Sequence, residues 1–284
     1  MINASRLADI LTDRYGVPVI GEASDDADGQ RARIHPRDIA HTQGFSVGVL
    51  IGWKTVEVEF APATYAKPLL SLMAAADAEK RALFHTFVQS AINAGAEIVF
   101  QINGGRIDPL QSSTWPAEWS SLSLRFSKGP IQIDGNNRNV MEALTLTWSS
   151  RMLGSVLSLM PLEPVQQVPV GEAEGGQYQV LVNRYERSDI NRAACVEVHG
   201  AKCKVCGFDF EKFYGMIGNG FIEVHHIELV SRLTPGTILD PTIDLVPLCS
   251  NCHSMAHKRR SPPYTVNELK AMIEMSARGQ TTTD

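Results

Sequence analysis

With 284 residues, 44% of them hydrophobic, the chain is long enough for two ordinary domains, each with its own core. No run of about 18 apolar residues is present to span a bilayer, and the N-terminus, Met1-Ile2-Asn3-Ala4-Ser5-Arg6, lacks the basic-then-apolar order of a secretory signal. The expectation is a soluble, cytoplasmic protein with no membrane partner. The net charge of -5 is unevenly spread: residues 180–284 hold 12 Lys+Arg against 12 Asp+Glu, which leaves 14 against 19 in the remainder.

Residues 1–160 read as an α+β domain. A short helix is expected around Ser5–Tyr15, followed by a polar loop, Glu22–Gln30, rich in Asp and Gly. Ser46–Ile51 and Thr55–Phe60 are β-branched and separated by Gly52-Trp53-Lys54, which suits a hairpin. Asp77 can cap a helix with Leu83, Phe84, Phe87 and Ala91 on one apolar stripe, ending at Gly95. Strands are expected at Glu97–Gln101 and Ser120–Phe126. A longer helix spans Asn137–Leu159, with Val140, Leu144, Trp148, Met152 and Val156 toward the core. The Pro-, Gly- and Gln-rich stretch 161–177 reads as a linker to a third region, residues 178–284.

Four of the five cysteines form two Cys-x-x-Cys pairs, Cys203/Cys206 and Cys249/Cys252, leaving Cys195 as an inert helix-interior residue. In a reducing compartment the paired pattern favours metal over disulfide, and four thiolates complete a tetrahedral structural Zn²⁺ shell with no open position. Between the pairs, Phe221–Ile227 alternates as a strand ending in His225-His226, and after the second pair His253 and His257 are spaced to share one helix face. Adjacent strand residues point oppositely, so His225 and His226 have different tasks. Glu223 shares a face with His225 and is a candidate partner for a ligand histidine. His35, His41, His85 and His199 lack metal spacing.

The run Cys203-x-x-Cys206, Glu223-Val224-His225-His226-Ile227, Asp240–Leu248 and Cys249-x-x-Cys252-His253-x-x-x-His257 resembles the HNH (ββα-metal) endonucleases, most closely the 5-methylcytosine-specific, modification-dependent restriction enzymes. The likeness covers about residues 178–265, starting near Val182–Ser188. It implies a small zinc-bound ββα-metal domain in which His226 is the general base and His225, His253 and His257 hold a catalytic divalent ion, Mg²⁺, Mn²⁺, Ni²⁺ or Zn²⁺. The central Asn of the motif aligns with Asp244, which can brace the base-bearing loop as an acceptor but not as an amide donor.

The implied substrate is DNA, methylated or hydroxymethylated, cut in a restriction or phage-defence role, with a homodimer expected because one such site breaks one strand. Lys258, Arg259 and Arg260, with Arg184, Arg187 and Arg192, are candidate phosphate contacts. Specificity falls to residues 1–160, where Trp53, Trp115 and Trp119 are candidates for a base pocket and Arg31, Arg33 and Arg37 for a duplex-facing surface. Two rival readings are a nuclease gated by a ligand- or partner-sensing N-terminal domain and a catalytically inactive zinc-dependent DNA-binding module.

Overall fold

The computed structural model describes residues 2–26, 29–37, 39, 44–131, 137–160, 189–227, 239–259 and 262–280. The chain divides into two compact units, Met1–Val165 and Gln166–Asp284. The expected linker, 161–177, lies outside the described residues. Among the described residues no helix is long and apolar enough to cross a membrane.

The first unit is a helix layer on one face of an antiparallel sheet. It opens with α1 (Ala4–Tyr15), capped by the Asn3 side chain accepting from the Arg6 amide and stopped by Gly16 in the left-handed region. Strands β1 (Val19–Asp26), β2 (Gly29–Pro36), β3 (Phe45–Ile51) and β4 (Val56–Pro62) follow, then helices α2 (Lys67–Ala74) and α3 (Ala78–Asn93). Strand β5 (Glu97–Ile102), the short β6 (Gly105–Arg106), β7 (Leu122–Lys128) and helix α4 (Arg138–Ser158) complete it. The strand order is β1-β2-β3-β4-β7-β5-β6, every pair antiparallel.

Alternation sorts the two sheet faces. Val47, Val49 and Ile51 of β3, Val56, Val58 and Phe60 of β4, Leu124 and Phe126 of β7, and Phe100 and Ile102 of β5 are buried toward Leu11, Phe84, Phe87, Met152 and Leu153 of the helices. Asp77 caps α3 through the Lys80 amide, as its sequence position predicts. Gly154 of α4 lies against the Phe87 ring; a Cβ there would fall 2.5 Å from Phe87 Cε1.

Three expectations need correction. Within Glu22–Gln30, the described residues are not a loop: Glu22–Asp26 and Gly29–Gln30 belong to the paired strands β1 and β2, with Glu22 opposite Arg33 and Asp26 opposite Gly29. A strand whose outer face meets water accepts charged residues, so polarity alone hides it. The α4 stripe holds only at its C-terminal end: Val140 is exposed and Leu144 half-buried, while Met141 and Thr145 are buried instead. Each four-residue step overshoots a helical turn by about 40°, so four such steps carry a stripe to the opposite face. Finally, Trp115 and Trp119 form no open pocket. They pack edge-on with Phe84 and Phe100, and their indole N–H groups donate to the carbonyls of Asp108 and Pro116. Trp53 alone is exposed, at the β3–β4 turn with Lys54 Nζ 4.2 Å above its ring.

The second unit contains α5 (Asp189–His199), α6 (Phe210–Tyr214), a 3-10 turn at Gly215–Gly218, the hairpin strands β8 (Glu223–His226) and β9 (Leu245–Leu248), α7 (Ser250–Ala256) and α8 (Val266–Gln280). One of its cores is small: Cys203, Ile222, Leu248, Cys249, Cys252, Ala256 and Leu269. Cys195, fully buried in α5 as expected, packs with Val224 and Leu245 on the other side, and burial pushes its thiol up to about 12.

Candidate metal centres of the second unit

The first cysteine pair sits on a tight turn. The Gly207 amide donates to the Cys203 carbonyl at 2.9 Å, and the Cys203 amide to that of Phe208 at 3.0 Å. Gly207 adopts φ 73°, a conformation that would strain an L side chain. The second pair begins α7, with Cys249 at its N-cap and the His253 amide donating to the Cys249 carbonyl. A bond from the Lys204 amide to Pro247 O, 3.0 Å, ties the first turn to β9 just before the second pair.

These constraints gather the four sulfurs of Cys203, Cys206, Cys249 and Cys252 within 4.8 Å of one another, with Cys206 and Cys249 at 3.6 Å. Burial raises the Cys203 thiol, but backbone amides of Cys206, Cys249 and Val205 outweigh it and bring the group down to about 7. Burial and the neighbouring thiols push Cys249 and Cys252 up. Cys203 ionises more readily than Cys249 and Cys252, so a cation at the centre would favour holding these sulfurs as thiolates. The donor set fits a closed structural zinc site.

A second cluster lies on the β8–β9–α7 unit. In the hairpin, His225 pairs with Val246 and His226 with Leu245, so the adjacent histidines leave opposite faces of β8. Both are buried. His225 Nδ1 lies 3.1 Å from His257 Nε2, which lies 3.2 Å from His253 Nε2. The three rings meet edge-on, with centroids 4.8–5.2 Å apart. Desolvation, then the neighbouring histidines, push His225 down to about 3, so its ring is neutral and its nitrogen keeps a lone pair. Three imidazole nitrogens converging at this spacing fit a divalent ion.

Glu223 partners a histidine of this cluster, as its place on the strand suggested: it hydrogen-bonds Nδ1 of His253, on α7, and not His225 on its own strand. Burial raises its carboxyl, but hydrogen bonds from Ser250 and His253 outweigh this and hold it below the usual carboxylate range. With Nδ1 so engaged, His253 presents Nε2 to the cluster, the arrangement by which a carboxylate fixes the tautomer of a ligand histidine. No sequence spacing could have shown this, because residue 223 reaches residue 253 only once β8 lies across α7.

Asp244 closes the turn before β9. Its Oδ2 accepts from the Asp240 amide at 2.8 Å, and its own carbonyl accepts from the Ile227 amide at 2.9 Å, next to His226. Of the candidate phosphate contacts, Lys258 is exposed at the end of α7, whereas Arg259 is already engaged. The Arg259 guanidinium donates to the carbonyls of Pro262 and Pro263, pairs with both Glu268 oxygens at 3.0 Å and lies 4.2 Å from the Tyr264 ring centroid. Its place in the basic run is therefore a clamp that docks α8. Arg192 likewise donates to the Ile222 carbonyl at 2.7 Å instead of facing outward to grip a backbone. Arg184, Arg187 and Arg260 lie outside the described residues.

No curated protein matches the chain, and no solved structure does. The segment that carries both clusters, residues 203–259, matches the HNH endonuclease family.

Proposed function

We propose that this protein is a metal-dependent DNA endonuclease of the restriction or phage-defence type, acting on modified DNA, with residues 1–160 as its recognition domain and 178–284 as its nuclease. The observation that carries the reading is the convergence of His225, His253 and His257 on a hairpin and helix held at both ends by the cysteine pairs, inside the segment of HNH type. Cys203, Cys206, Cys249 and Cys252 would hold structural zinc. His225, His253 and His257 would hold the catalytic ion, which supplies positive charge for the phosphate and the departing 3′ oxygen.

His226, on the opposite face of β8 from the ligand histidine, is the general base. A neutral imidazole accepts the proton of the attacking water as its oxygen bonds to phosphorus and the bond to the 3′ oxygen breaks. Asp244 keeps the end of β8 in register through the Ile227 amide, so it positions the base without touching substrate. Lys258 lies one residue beyond His257 and is the described cation best placed to meet a flanking phosphate.

The test is incubation of the purified chain with unmodified, cytosine-methylated and hydroxymethylated plasmid, in Mg²⁺, Mn²⁺ or Ni²⁺ and in EDTA. Cleavage confined to modified plasmid and abolished by EDTA is expected. Cleavage of no plasmid with any metal would sink the reading.

A further inference from the structure

Over the five strands β1, β2, β3, β4 and β7, the outer face of the first unit's sheet carries two cross-strand rows whose charges are antisymmetric about β3, before the rows run on to Val99 and Glu97 of β5. The first row runs Glu22, Arg33, Gly48, Glu59, Arg125 across β1, β2, β3, β4 and β7. The second runs Ser24, Arg31, Leu50, Glu57, Ser127 across the same strands. Reversing the first row turns minus, plus, glycine, minus, plus into its complement. Reversing the second sets each arginine against a glutamate, each serine against a serine, and Leu50 against itself.

A two-fold axis parallel to β3, lying between two sheets packed face to face, performs this reversal on both rows at once. It sets Glu22 opposite the copy's Arg125, Arg33 opposite its Glu59, and Arg31 opposite its Glu57. The face is dished, with a hollow of about 550 Å³ framed by these side chains. Arg33 and Glu57 have no ion-pair partner among the described residues, while Glu59 meets Arg125 at 3.5 Å.

A second observation concerns the axis. Gly48 sits in the middle of a central strand, where glycine weakens the sheet. A Cβ there would meet only the Glu59 side chain, Cγ at 3.5 Å and Oε1 at 3.7 Å, ordinary contacts, so packing within the chain does not require the missing side chain. The pairing of β3 is regular on both sides of Gly48, so there is no bulge, and a glycine there leaves room for another backbone or a ligand to approach closely.

We infer that this face is the self-association surface of the protein, occupied by a second copy of the chain stacked about a two-fold axis along β3, with Gly48 and Leu50 on the axis. The inference does not depend on nuclease activity, because association is read in solution without DNA. Its consequence for a nuclease is two HNH segments per assembly, as breaking two strands requires.

The test uses the full chain in sedimentation velocity at tens of micromolar and low salt. The unaltered chain is expected to sediment as a dimer that weakens as salt rises. Arg33→Glu and Glu59→Arg each place like charges opposite one another twice and are expected to weaken association at least about tenfold. Mixing these two variants restores every opposite pair, so the mixture is expected to dimerise where neither does alone. Gly48→Val is expected to retain the far-UV circular dichroism of the unaltered chain yet remain monomeric. Arg106→Glu, at the far edge on β6, is expected to change nothing. An unaltered chain that stays monomeric, a dimer indifferent to the charge reversals and to Gly48→Val, or a mixture that stays monomeric would each overturn the inference.

Discussion

Replacing one zinc-ligand candidate tests how the second unit is held together. In the core beside the cysteines, the large, nearly fully buried aliphatic side chains are Ile222, Leu248 and Leu269. At about 1.5–3 kcal/mol each, their burial contributes roughly 5–9 kcal/mol. Zinc held by a small structural set contributes about 10–16 kcal/mol of apparent binding energy, which appears as folding energy because the unfolded chain has no preformed site. Zinc at this site would thus stabilise the unit more than the packing of those three side chains does. Cys252→Ala should therefore remove the second unit's melting transition while leaving that of the first unit in place, and zinc per chain should fall from one toward zero.

Cys195→Ala is the control. It deletes one buried sulfur outside the cluster, costs about 1 kcal/mol, and leaves zinc at one per chain. Calorimetry of the full chain, paired with metal analysis, reads both quantities. Retention of both transitions and of zinc in Cys252→Ala would refute the assignment of the four cysteines to one structural ion.

His226→Ala should lower plasmid cleavage by about 10²–10⁴-fold, the contribution of a positioned general base, with zinc content and melting unchanged; lost zinc would mean the residue is structural. Gly154→Ala drives a methyl into the buried Phe87 ring, and an overpacking cost of about 1–3 kcal/mol exceeds the roughly 1 kcal/mol gained in helix propensity. The first unit's Tm should fall by roughly 2–6 °C, and an unchanged or raised Tm contradicts the close approach of α4 to α3. Cys195, raised to about 12, is only about one part in 10⁴ thiolate at pH 8, and it should resist alkylation while the second unit is folded and become reactive once a chelator unfolds that unit. Arg259→Ala should loosen α8, read as faster amide exchange there, and leave the salt dependence of DNA binding unaltered; a reduced salt slope would instead make Arg259 a phosphate contact.

Much of the site is legible in the sequence because metal ligands must be particular residue types at spacings set by turns and helices. Two Cys-x-x-Cys pairs and an i, i+4 histidine pair announce themselves, and strand alternation already separates His225 from His226. The strands at Phe45–Ile51 and Val56–Pro62 and the Asp77-capped helix are equally readable, since each buries one face and carries its own start signal. What the sequence leaves open is every contact whose partners are distant along the chain. Glu223 could serve a ligand histidine or face solvent by pattern alone; the crossing of β8 and α7 gave it to His253. Arg259 and Arg192 look like free cations until folding supplies the carbonyls of Pro262, Pro263 and Ile222. The charge rows about Gly48 exist only in the strand register, because residues 22, 33, 48, 59 and 125 become neighbours solely by pairing across five strands. Sequence thus determines which groups are present and their local geometry, and tertiary structure decides which group each one faces, because long-range pairing is set by the summed burial of whole elements rather than by any single residue.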